Sequence, residues 1–81
     1  MPESLGKTLK KIRKSKGFSL EEASEKTRIP KNTLSIIEED RLNEIESLFY
    51  ARGFVKSYAQ FLGAMEDNVV KRYLSGAPKK D

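Results

Sequence analysis

The stretch Tyr50-Ala51-Arg52-Gly53-Phe54-Val55-Lys56-Ser57-Tyr58-Ala59-Gln60-Phe61-Leu62-Gly63 carries more apolar side chains than one helix face can hold. At the helical period, Ala51, Val55, Tyr58 and Leu62 fall on one stripe. Tyr50, Phe54 and Phe61 fall on a neighbouring stripe, spaced by four and seven. A chain of 81 residues builds one modest core, which can use one such stripe fully. The second stripe either wraps into the same core or faces a partner. Gly53 in mid-helix costs about 1 kcal/mol against alanine, and it permits close approach by another backbone or by a large side chain.

The rest of the chain has to fold around that helix. The length predicts one domain, over residues 1–75, with residues 76–81 as a tail or linker start. There is no Cys and no His, so thiolate nucleophiles, disulfides, imidazole bases and the usual zinc ligands are excluded. We expect no enzyme activity, no cofactor and no metal site. No apolar run approaches a membrane span or a signal-peptide core, which predicts a soluble, cytoplasmic fragment. The net charge of +4 is unevenly placed. Lys7, Lys10, Lys11, Arg13, Lys14 and Lys16 crowd the first segment against Glu3 alone. Glu38, Glu39, Asp40, Glu44 and Glu46 crowd a later one against Arg41 alone. The basic segment suits nucleic acid, an acidic protein surface or an anionic membrane face, or is simply a solvated helix face. The acidic segment lacks the ligand spacing of a calcium loop and reads as a solvated linker.

In order, the first helix runs from Glu3 or Ser4 to Lys16, with Leu5, Leu9 and Ile12 as its apolar stripe and lysines opposite. Gly17 stops it, and Phe18 folds back near Ile12. Ser19 and Glu22 form a capping box for a short second helix, which ends between Lys26 and Arg28 and turns Leu20, Ala23 and Thr27 inward. Ile29-Pro30 breaks the chain, and a third helix runs from Pro30 or Lys31 to Glu39 with Leu34 and Ile37 inward and Ile36 partly exposed. The fourth helix runs from Ser47 to Leu62. The fifth runs from Glu66 to Leu74 or Ser75, with Val69, Val70, Tyr73 and Leu74 inward and Gly76 as its cap. The predicted fold is all-α, five helices without a strand. The expected core is Leu9, Ile12, Ala23, Ile29, Leu34, Ile37, Val55, Tyr58, Leu62 and Val69.

Two short helices joined by a tight turn read as a helix-turn-helix, and Ser19 to Glu38 looks like that of the lambda-repressor type. A more specific pattern lies in Leu5-Gly6, Leu9, Arg13, Gly17-Phe18-Ser19-Leu20-Glu21-Glu22 and above all Tyr50-Ala51-Arg52-Gly53-Phe54-Val55-Lys56-Ser57-Tyr58-Ala59. These residues resemble the N-terminal cytoplasmic domain of the RodZ family of bacterial cell-shape proteins, over about residues 4 to 74. Members are single-pass membrane proteins. The resemblance implies a domain on the cytoplasmic side of the inner membrane that binds filaments of the actin-like protein MreB and ties them to the membrane through a span absent from this chain. Two departures stand out. Ile45-Glu46-Ser47-Leu48-Phe49 replaces the family's Leu-Pro-Gly-Pro-Val, which leaves the start of the fourth helix open. Ala64-Met65-Glu66 replaces Leu-Asp-Pro, which removes the family's cap at Met65 from the fifth.

Two binding classes compete. A DNA reader of this fold lays its third helix in the major groove. The candidate base-contacting residues are then Lys31, Asn32, Thr33 and Ser35, with Lys31 the lone cation and Asn32 suited to adenine. Glu38, Glu39 and Asp40 would repel phosphates at the far end. The reading therefore leaves weak non-specific nucleic-acid binding through Lys10, Lys11, Lys14 and Lys16. The protein-binding reading uses Tyr50 and Phe54 as anchors, since aromatics beside arginine are the composition of interface hot spots. Arg52, Lys56 and Lys31 would supply charges around them. The resemblance places this face on the fourth helix together with the junction of the second and third.

Overall fold

A computed structural model describes residues 4–45 and 47–75. Among these residues there are five α-helices and no strand: α1 (Leu5–Ser15), α2 (Leu20–Thr27), α3 (Lys31–Glu38), α4 (Leu48–Leu62) and α5 (Asn68–Leu74), with a 3-10 turn at Leu42–Glu44 inside the acidic connection. The expected Gly76 cap and the tail at 76–81 lie outside the described residues.

Side-chain caps set most of the starts. Ser4 Oγ accepts from the Lys7 amide at α1. The Ser19–Glu22 capping box forms in full, with bonds of 3.0 and 2.9 Å. Ser47 Oγ accepts from the Phe49 and Tyr50 amides, so α4 starts at Leu48 without the family's prolines. The expected start of α5 at Glu66 is two residues early. Asp67 accepts from the Val69 and Val70 amides at 2.8 and 3.3 Å, so this chain carries its own cap beyond the position left empty at Met65. Pro30 is the cap residue of α3 and not its first helical residue. Stops at Gly17 and Gly63 use the left-handed backbone, with φ of 79° and 69°.

The inner stripe of α4 is the centre of the core. Ala51, Val55, Tyr58 and Leu62 are fully buried, against α1, α2 and α5. Leu9, Ala23, Ile29, Leu34, Ile37, Ala59, Ala64 and Val70 complete the buried hydrophobic set among the described residues. Eight of the ten expected core residues are therefore buried. Ile12 and Val69 are half-buried instead. With Asp67 as cap, the register of α5 drives Val70 inward and leaves Val69 at the edge. Phe18 packs on Phe61, ring centroids 4.8 Å apart, which takes the far end of the second aromatic stripe into the fold.

Polar packing corrects two expectations, the basic surface and the solvated acidic linker. Arg13 is not part of the basic surface, and Glu38 is not part of a solvated linker: both are buried. Arg13 Nε and Nη2 donate to the two Glu38 oxygens at 2.7 and 3.0 Å, and Nη1 donates to the Phe18 carbonyl at 2.7 Å. Tyr58 Oη donates to Glu38 as well. Asp40 is likewise engaged, accepting from Ser4 Oγ and the Gly6 amide at the start of α1. The glycine at which the fold itself comes close is Gly6. A Cβ there would lie 2.5 Å from the Glu38 carbonyl and 2.6 Å from that of Ile37, whereas a Cβ on Gly53 would meet nothing within 4 Å.

Candidate protein-binding groove

The first half of α4 presents its outer side to solvent. Phe49 is 79% exposed and Tyr50 60%, the large hydrophobic residues that stand furthest out among those described. Their rings are tilted against each other with centroids 6.0 Å apart. Both flank an open groove of 680 Å³ that runs between α4 and the segment leading through α5. Tyr50, Gly53, Phe54 and Ser57 line it from successive turns, because positions three, four and seven apart share a face. Met65 and Leu74 line the other side. Arg52 and Lys56 are its charged residues, and no carboxylate is among those that line it. The Arg52 guanidinium also reaches the field of Tyr73 on α5, where burial raises the phenol pKa and the arginine partly opposes that rise.

Of the expected partner-binding residues, the groove brings together Tyr50, Arg52, Phe54 and Lys56. Tyr50 is the freer of the two aromatics. Phe54 is half-buried and packs on the core, so it is at once groove wall and structural support. Lys31 is not in the groove. It sits at the start of α3, its ammonium 3.2 Å from Glu21 on α2. The sequence reading passed over Phe49, Met65 and Leu74. Phe49 could have been found from its spacing of four and seven to Gly53 and Lys56. The other two depend on how α5 crosses α4.

The helix that a DNA reader would use is poorly equipped. Asn32 is exposed, but Lys31 is paired with Glu21, and Ser35 Oγ donates to Glu39 at 3.2 Å. Glu21 and Glu22 occupy the first turn of α2, the helix that crosses the phosphate backbone in this motif. Lys10, Lys11, Lys14 and Lys16 lie exposed on or just beyond α1. Glu39 and Glu44 of the acidic segment are tied to Arg41, which donates to Glu39 and, at 2.9 Å, to both oxygens of Glu44, while Glu46 lies outside the described residues. These bonds raise the arginine pKa and hold the Glu44 carboxyl below its ordinary value. Among the described residues no cluster of carboxylates could hold a metal ion, and no helix is long and apolar enough to cross a membrane.

Residues 8–69, most of the chain, match a family described as a helix-turn-helix domain, and the chain belongs to that family. The chain is also similar to a cytoskeletal protein. Over 75 residues the chain is 33% identical to the protein named Cytoskeleton protein RodZ of Streptococcus pneumoniae (strain ATCC BAA-255 / R6), covering 93% of this chain and 27% of that relative. The RodZ-type helix-turn-helix domain expected from the Tyr50–Ala59 block is thus supported over nearly the whole chain, which spans little more than a quarter of that relative's length. No solved structure matches the chain.

Proposed function

We propose that this is a cytoskeletal adaptor domain that binds filaments of the actin-like protein MreB through the outer face of α4, and that in a chain of the relative's length it links those filaments to the inner membrane for control of cell shape. The observation that carries the reading is the exposed Phe49–Tyr50 pair beside an apolar groove whose charges are both positive. Large aromatics left in water by a small domain mark an interaction site, and aromatic and arginine side chains dominate the binding energy of such sites. Tyr50 and Phe54 serve as anchors, Arg52 and Lys56 as flanking cations, and Lys31 as an outlying charge at the α2–α3 junction.

The exposed lysines of α1 support a second, lesser activity, weak non-specific binding to nucleic acid. Co-sedimentation with MreB filaments, run beside a duplex-DNA shift assay at two salt concentrations, separates the two. The adaptor reading expects filament binding together with a DNA shift that salt abolishes. A selected DNA site bound far more tightly than random duplex at physiological salt would overturn it.

A further inference from the structure

Gly53 is placed where the domain itself gains nothing from it. It sits in the interior of α4, where glycine is the poorest helix former apart from proline. Its missing side chain makes room for no atom of the fold, since a Cβ there would meet nothing within 4 Å. Gly6 shows the contrast, because there the fold fills the space to within 2.5 Å. Gly53 also lines the groove, one turn from Tyr50 on one side and from Ser57 on the other. The space left bare is therefore in the groove and open from outside.

We propose that Gly53 is the point of closest approach for the bound partner: an apolar segment carrying acidic residues lies across α4 and brings its backbone against that of Gly53. This rests on the functional reading above and adds the chemistry of the occupant. The acidic character follows from Arg52 and Lys56, which face the groove with no carboxylate among the lining residues. The close approach follows from the absent Cβ, since the distance between packed elements is set by the side chains at the contact. Tyr50 and Phe54 then grip the segment from the flanks while the bare backbone lets it settle between them.

The proposal predicts an uncommon split between folding and binding. Gly53→Ala should raise the melting temperature by about 5 °C, the shift a helix-propensity gain gives a domain of this size. The same change should weaken co-sedimentation with MreB filaments at least tenfold, and Gly53→Leu should weaken it further. Gln60→Ala, on an exposed position of α4 outside the groove, should leave sedimentation unchanged. If Gly53→Ala is stabilised and binds as the wild type does, while Tyr50→Ala loses binding, the close approach is wrong and the groove stands. If the wild-type chain itself does not sediment with filaments, the functional reading fails and this inference with it. A loss for Gln60→Ala equal to that for Gly53→Ala would also overturn the placement.

Discussion

Two tyrosines of α4 stand in opposite situations. Tyr58 is fully buried and donates to a carboxylate that is itself locked to an arginine. Tyr50, two turns earlier on the same helix, is 60% exposed and sets its ring beside that of Phe49. One helix thus carries a side that the fold consumes and a side that it leaves unused. The difference teaches that aromatic content alone does not separate core from interface. What separates them is whether the polar atom and the ring edges have partners inside the domain. Tyr58 has both, whereas among the described residues the ring of Tyr50 meets that of Phe49 and its hydroxyl makes no hydrogen bond.

The comparison breaks most severely at the buried end. Glu38→Ala removes the carboxylate that pairs with Arg13 and leaves a buried guanidinium whose Nη1 still donates to the Phe18 carbonyl. Truncating one member of such a pair costs about 3–5 kcal/mol, because the remaining charge is uncompensated. Urea unfolding should show a loss of that size, large enough to unfold a marginal domain. A loss below about 1 kcal/mol would mean that water reaches the pair and that the Tyr58 side is not closed as described.

Tyr58→Phe is a milder cut at the same place. It keeps the ring and removes the hydrogen bond to Glu38, which should cost about 1.5–3 kcal/mol because the acceptor is charged. The same substitution should change the response to alkali. Burial first, and then the bond to Glu38, push the phenol pKa of Tyr58 well above its ordinary value. In the unfolded chain the phenol ionises near pH 10. The folded state therefore holds its full stability below about pH 10 and loses it as the pH rises from there toward the higher folded value. Denaturation midpoints measured from pH 8 to pH 11.5 should fall steeply at the top for the wild type and less so for Tyr58→Phe. Parallel curves would assign the alkaline loss to other groups, Tyr73 among them.

At the open end the expected effect moves from stability to binding. Tyr50→Ala removes an exposed ring, so unfolding should change by no more than about 0.5 kcal/mol. Filament binding should weaken by about 2 kcal/mol, the scale of an anchor residue. Phe54→Ala is a less clean probe, since that ring also packs on the core and its loss should register in both measurements. If Tyr50→Ala folds and sediments as the wild type does, the outer face of α4 is not the binding site.

The two sides were unequally legible. The inner stripe of α4 could be read from spacing alone, as could the capping box at Ser19 and the stops at Gly17 and Gly63. The Arg13–Glu38 pair was missed because charge counting assigns such residues to the surface. The signal was there: Arg13 continues the four-residue spacing of Leu5 and Leu9, and Glu38 lies one turn beyond Leu34. A charge on an apolar stripe asks for a buried partner, but which one depends on how α1 crosses α3. The groove was legible only from the α4 side. Its opposite wall, Met65 and Leu74, comes from a crossing that local pattern does not encode, and a mid-helix glycine does not by itself say whether the backbone it bares faces another helix or the groove.

The smallest expected effect joins the two sides. Ser47 caps α4 through the amides of Phe49 and Tyr50, the residues that present the exposed rings. Ser47→Ala should cost about 1 kcal/mol of stability, an ordinary cap loss. The turn it frays is the one that holds Phe49 and Tyr50 in place, whereas Tyr58 lies deep in the core and is unaffected. Binding should therefore fall along with stability although Ser47 itself is not among the groove's lining residues, and Ser47→Asp, which restores a capping acceptor, should recover both. A Ser47→Ala variant that loses stability but keeps full filament binding would show that the aromatic pair does not need a pre-formed first turn. It would shift the weight of the interface toward Phe54 and the middle of the helix.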